Sequence, residues 1–179
     1  MNVSPDELKA MVKYQIGALN AFCKSSGIVM QHVKPHGAMY NMAAKDRKLA
    51  DAICEAIADV DDSLILLGLS GSEMLKAAKD KGLRCASEVF ADRAYEDDGS
   101  LTPRALEGSV ITDEDEAIKR VLQMVNEGTV VTRSGKVIPI EADSICLHGD
   151  GAKAVEFAQR IRAELTDSGV EIAPLAALK

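Results

Sequence analysis

Tryptophan is absent from this sequence and aromatic residues fill only 3% of its 179 positions, so any core must be built from Ile, Leu, Val, Met and Ala. A basic cluster is missing too. With 28 acidic against 21 basic residues, the formal net charge is −7. No face of this sign suits nucleic-acid phosphates or an anionic membrane surface. No apolar run approaches the roughly 18 residues of a membrane span. The segment NVSPDELK after Met1 has neither the basic n-region nor the apolar h-region of a signal peptide. A cytoplasmic location is therefore expected. Cys23, Cys54, Cys85 and Cys146 form no CxxC pair and sit in apolar stretches. That pattern predicts buried free thiols in a reducing compartment rather than a metal or redox site.

What is present fits a packed protein. Hydrophobic residues make up 47% and charged residues 27% of the chain, and its length suits a single domain over residues 1–179. Ser4, Pro5 and Glu7 form a helix-start signal with a capping box. Leu8, Met11, Val12, Ile16, Leu19 and Phe22 then follow at the spacing of one buried helical face, and Gly27 is placed to end the helix. A strand is predicted from Ile28 to Val33, a helix from Arg47 to Val60, a strand at Ser63–Leu67 and a helix from Ser72 to Lys81 ending near Gly82. Beyond a strand at Leu83–Phe90 comes a long polar loop, then a helix capped by Thr112 and running to about Glu127. Val130–Thr132 and Val137–Ile140 read as a hairpin turned through Ser134–Gly135. A strand at Ser144–Leu147, a helix to about Asp167 and a strand at Val170–Ala173 complete the pattern. Strands alternating with helices of this length imply right-handed βαβ crossovers and a parallel sheet.

The conspicuous polar residues gather at strand-to-helix junctions. Lys34 and His36 follow the first strand, Gly68, Ser70 and Gly71 the second, Glu88, Asp92 and Arg93 the third, and His148 and Asp150 the strand at Ser144–Leu147. In parallel α/β folds this C-terminal sheet edge is where ligands bind. Each motif has both functional and structural readings. Lys34-Pro35-His36-Gly37 is either an acid/base or anion-binding turn or structural punctuation. In His148-Gly149-Asp150, the carboxylate either orients an imidazole base, shares a metal with it, or caps the next helix. Asp92-Arg93 is a substrate clamp or a surface ion pair. Leu69-Ser70-Gly71-Ser72 lacks the Lys of a phosphate-binding loop, so Ser72 is read as an N-cap. Met39 and Met42 are read as packing residues.

The strings QHVKPHGAMYN (Gln31–Asn41), ASEVFADRAYEDDGSLTPR (Ala86–Arg104) and DSICLHGDGAKA (Asp143–Ala154) closely resemble the LamB/YcsF family, and the likeness runs from Pro5 to Pro174. The resemblance implies an irregular β/α barrel, TIM-like and similar to the polysaccharide-deacetylase barrels, with the 130–140 hairpin as an insertion. It also implies a hydrolase acting on a cyclic amide: ATP-dependent opening of the lactam of 5-oxo-L-proline to L-glutamate, with partner subunits B and C. Carried onto this sequence, it marks His36, Glu88, His148 and Asp150 as catalytic, and Lys34, Tyr40, Asn41, Asp92 and Arg93 as substrate-binding. In that assignment Lys34 and Arg93 hold the substrate carboxylate or a phosphorylated intermediate. His36 or His148 moves protons, and Asp150 orients His148. ATP is the co-substrate of the complex; a divalent metal has no support of its own in this chain.

The sequence also departs from the family pattern. Members open with a strand bearing NCD-x-GE and continue through GFHAGD-like and HPGYPD-like segments, none of which occurs here. The barrel is therefore expected to be incomplete at the N-terminus, leaving strand edges prone to association. Two further readings follow: an inactive remnant or scaffold that binds the partner subunits, and, by fold analogy, a metal-dependent amidohydrolase or deacetylase that does not use ATP. From the open edges we predict that the chain dimerises, aggregates or requires a second chain. Light scattering checks this, and a stable monomer contradicts it.

Overall fold

The computed structural model describes residues 2–149 and 153–178. The chain divides into two compact units, Met1–Ser87 and Glu88–Lys179.

The first unit starts with α1 (Pro5–Ser25), whose capping box forms as expected: Glu7 N–H donates to Ser4 Oγ at 3.3 Å and Ser4 N–H to Glu7 Oε2 at 2.8 Å. Gly27 (φ +68) closes the helix, with Ile28 N–H on Cys23 C=O at 2.8 Å. The buried stripe is shorter than the periodicity suggests. Leu8, Val12 and Ile16 are buried, whereas Leu19 and Phe22 are exposed, because α1 packs along α3 (Arg47–Val60) with its N-terminal half facing inward. Asp46 caps α3 through the N–H groups of Lys48 and Leu49. Lys9 pairs with Glu55 and Asp59, and Lys81 pairs with Glu55, tying α1, α3 and α4 (Glu73–Lys81) together at the surface. Exposed pairs of this kind add about 0–1 kcal/mol each. The adhesive is the apolar layer of Ile53, Cys54, Ile57, Met74 and Leu66.

The predicted strand Ile28–Val33 shrinks to β1 (His32–Val33), and Ile28 and Val29 are exposed. β1 pairs in parallel with β2 (Ile65–Leu69), with His32 opposite Ile65 and Val33 opposite Leu66. Every residue of β2 is buried, the signature of a parallel strand covered on both faces. Leu66 N–H donates to Arg84 C=O at 2.9 Å. Between these strands lies α2 (Ala38–Ala43).

β3 (Cys85–Phe90) ends the first unit with its first three residues and opens the second with its last three. In the second unit it pairs in parallel with β6 (Ser144–Cys146): Glu88 opposite Ser144, Val89 opposite Ile145 and Phe90 opposite Cys146. The cap of α5 (Glu114–Leu122) is Asp113, whose carboxylate accepts from Glu116 N–H at 2.9 Å, and not Thr112. The helix continues as a π-turn over Gln123–Glu127 until Gly128 (φ +62) ends it. The hairpin forms from β4 (Thr129–Val131) and β5 (Val137–Pro139), turned at Gly135 (φ +88). After α6 (Ala154–Asp167) the predicted strand Val170–Ala173 does not form. Val170 N–H is taken by Leu165 C=O at 2.9 Å in the helix-closing turn at Gly169. Ile172 is exposed, so the apolar alternation there finds no ladder to join.

The fold class is thus α/β with parallel strand pairings, as expected. Among the described residues no helix is long and apolar enough to cross a membrane. The thiols are less buried than expected: Cys54 is buried, while Cys23, Cys85 and Cys146 are partly exposed. Burial pushes the Cys54 thiol up to about 12. Ile53→Ala, at a fully buried position, is expected to lower unfolding free energy by about 2–5 kcal/mol. Leu19→Ala on the exposed face should cost about 0.5 kcal/mol or less. Urea denaturation of both variants checks the pair, and equal losses would contradict this core.

Candidate active site

Two residues beyond the last paired position of β3 lies Asp92; two residues beyond that of β6 lies His148. Because Phe90 and Cys146 are in register and Ala91 N–H still bonds Cys146 C=O at 3.1 Å, the strands deliver both side chains to the same place. His148 Nδ1 lies 2.7 and 2.9 Å from the two carboxylate oxygens of Asp92. Phe90 stacks on the imidazole, with ring centroids 6.1 Å apart and planes at 30°. Arg104 Nη2 lies 2.9 Å from Nε2. A guanidinium only donates, so Nε2 must present its lone pair and the ring proton must reside on Nδ1, facing Asp92. The partners thereby fix one tautomer: an imidazole held by a carboxylate at one nitrogen with a basic nitrogen at the other.

Asp92 thus fills the orienting place assigned to Asp150, which lies outside the described residues. Arg93 departs from its expected role. Its side chain is buried, and its Nε donates to Ser109 C=O at 3.1 Å and its Nη2 to Thr102 C=O. Burial, with Arg104 nearby, draws the Arg93 guanidinium down from its usual value. Those donors are spent on holding the loop, so Arg93 here is a structural tie. Glu88 is buried within β3. Arg104 is the residue that the reading of single junctions missed. It ends the string Ala86–Arg104 but lies 11 residues past Arg93 in a polar loop, where nothing local distinguishes it.

The remaining candidates belong to the first unit. Lys34 Nζ lies 5.9 Å from the centroid of the buried Tyr40 ring. Asn41 Nδ2 donates to Gly37 C=O at 3.0 Å, and His36 is exposed. Gly37 adopts φ +64, ψ −131, a conformation that L side chains rarely enter. Met39 is partly buried but Met42 is exposed, so only Met39 fits the expected packing role. Ser72 occupies the N-cap position of α4, yet its side chain makes no capping bond and its buried Oγ has no partner among the described residues. Ser72 N–H and Glu73 N–H are spent on Leu69 and Ala44 carbonyls at 3.0 and 2.9 Å, which does not suit a phosphate cradle. A Cβ at Gly68 would meet Leu75 Cδ2 at 3.3 Å, so this glycine serves packing. Among the described residues no three His, Cys, Asp or Glu side chains converge as a metal-ligand group.

The sequence profile of the LamB/YcsF family matches residues 1–179. The chain belongs to the LamB/YcsF family. A relative from Clostridium beijerinckii, named as the A-subunit of 5-oxoprolinase, is 63% identical over 175 residues, covering 98% of this chain and 69% of the relative. The protein of the same name from Bacillus subtilis is 52% identical over 172 residues, 96% of this chain and 67% of the relative. The crystal structure of a lactam utilization protein from Thermus thermophilus superimposes with a TM-score of 0.87 at 44% identity, over 96% of this chain and 68% of that one. The chain therefore has the LamB/YcsF fold and spans about two thirds of the length of these relatives.

In this LamB/YcsF chain the loop between β3 and α5 is organised by buried polar groups. Tyr95 is fully buried, and its hydroxyl accepts from Phe90 N–H at 2.8 Å, where β3 ends. Arg133 N–H donates to Tyr95 C=O at 2.8 Å. Arg120 Nη1 donates to Val131 C=O at 3.0 Å. Burial raises the Tyr95 phenol above its ordinary value. Because the unfolded phenol ionises first, its contribution to stability is full below about pH 10 and is lost as pH rises from there. Tyr95→Phe removes the hydroxyl that accepts from Phe90 N–H and should cost about 1–3 kcal/mol at neutral pH. The loss of stability above about pH 10 should also be shallower in the variant. Denaturation at neutral pH and across the phenol's titration range tests both; a neutral-pH stability equal to the native chain's would contradict the role of the hydroxyl.

Proposed function

We propose that this chain is the A-subunit of an ATP-dependent 5-oxoprolinase, hydrolysing the lactam of 5-oxo-L-proline to L-glutamate in the cytoplasm together with subunits B and C. The observation that carries the reading is the Asp92–His148 pair beyond the ends of two parallel strands, in a chain whose relatives bear the name of the 5-oxoprolinase A-subunit. A five-membered lactam resists attack by water. Transfer of phosphate from ATP to its carbonyl oxygen creates an electrophilic carbon and a good leaving group. Water then adds, the ring C–N bond breaks as the nitrogen takes up a proton, and a second water cleaves the resulting acyl phosphate to L-glutamate and inorganic phosphate. In this reading His148 Nε2 accepts the water proton and returns it to the leaving nitrogen, while Asp92 holds Nδ1–H and stabilises the imidazolium formed in between.

The test is glutamate release from 5-oxoproline and ATP by the chain mixed with its own subunits B and C. His148→Ala should lower the rate by about 100- to 10,000-fold with an unchanged circular dichroism spectrum, and His36→Ala reports on the second imidazole. Normal turnover in His148→Ala would overturn the assignment. Binding to subunits B and C without turnover by the native chain would identify a scaffold instead.

A further inference from the structure

Nε2 of His148, the nitrogen that the proposed reaction needs, is covered. Nδ1–H is committed to Asp92, and Arg104 Nη2 sits on the only lone pair that remains. Arg104 itself is exposed, and among the described residues it makes no ion pair with a carboxylate. Its backbone is pinned, with Ser109 Oγ donating to Arg104 C=O at 3.2 Å, so the side chain can turn without moving the loop. The neighbouring guanidinium of Arg93 is buried and occupied by carbonyls, leaving Arg104 as the arginine at this imidazole with donors to give.

We propose that Arg104 recognises the carboxylate of the substrate and that engaging it uncovers His148. The inference rests on the 5-oxoprolinase reading of the same site. A guanidinium bonded to a neutral imidazole makes one hydrogen bond, in which only the donor is charged. With a carboxylate it makes two parallel bonds between opposite charges. An anionic ligand therefore takes Arg104 from the ring, and the same event frees the Nε2 lone pair for a water molecule. Two consequences follow for specificity. A lactam without an adjacent carboxylate binds weakly, and it also leaves the base covered. A charged lactam binds and arms it. Arg104 is thus a specificity-determining residue as well as a cover, which separates it from Asp92, whose task is to orient the ring.

The experiment is calorimetric titration of the full chain with 5-oxoproline and with its neutral carboxamide, in the native protein, Arg104→Gln and Arg104→Lys. ¹⁵N NMR of labelled histidine is recorded alongside, with the His148 signals assigned from a His148→Gln sample. The native chain should bind 5-oxoproline about 10- to 100-fold more tightly than the carboxamide, the worth of a charge-assisted pair. Arg104→Gln should erase that preference, and Arg104→Lys should restore part of it. The Nε2 resonance of His148 should move when 5-oxoproline is added to the native chain, stay in place with the carboxamide, and respond to neither ligand in Arg104→Gln. An undiminished preference in Arg104→Gln, or equal binding of the two ligands by the native chain, overturns the proposal and leaves the 5-oxoprolinase reading standing. Failure of the native chain to bind either ligand overturns both.

Discussion

Parallel pairing of β3 with β6 is the constraint on which the chemistry rests. With Phe90 opposite Cys146, equal two-residue extensions beyond the ladder place a carboxylate and an imidazole within hydrogen-bond distance. A slip of one residue on either strand would turn one side chain to the other face of the sheet and dissolve the pair. Burial protects that register. Val89 is fully buried between Glu88 and Phe90, which are buried too, so a slip would force side chains to repack on both faces of the strand.

The loop after β3 depends on the same junction. Tyr95 accepts a bond from the last N–H of the strand, and Arg93 reaches past it to carbonyls of Thr102 and Ser109. Two polar side chains thus take the part that an apolar cluster plays elsewhere, satisfying buried backbone groups where no helix or ladder does. Arg104 lies between the two carbonyls that Arg93 grips, so the tie made by Arg93 also sets where Arg104 emerges. The arginine that holds the loop thus positions the one that meets His148, and the two cannot exchange places without releasing the loop.

Much of this was legible in the residues. The capping box of α1, the limits of α3 and the hairpin turned at Gly135 follow from local rules: capping bonds, apolar spacing and a glycine where φ must be positive. The family resemblance carried the fold and marked Asp92 and His148. Where reading failed, a non-local choice decided the outcome. The apolar spacing of α1 runs on through Leu19 and Phe22, yet burial there depends on how far α3 extends alongside. Val170–Ala173 has strand-like alternation, but a strand exists only with a partner.

Local sequence therefore determined the helices and most of the strands, that the main strands run parallel, and that polar residues collect at their C-terminal ends. Those properties arise within a few residues of chain and from the length of the connections. Tertiary structure alone decided which polar residues meet. It paired His148 with Asp92, retired Arg93 into the loop and brought Arg104 onto Nε2. Contact across 44 or 56 residues of separation is set by strand register and loop path, and neither is written in the neighbourhood of any one residue.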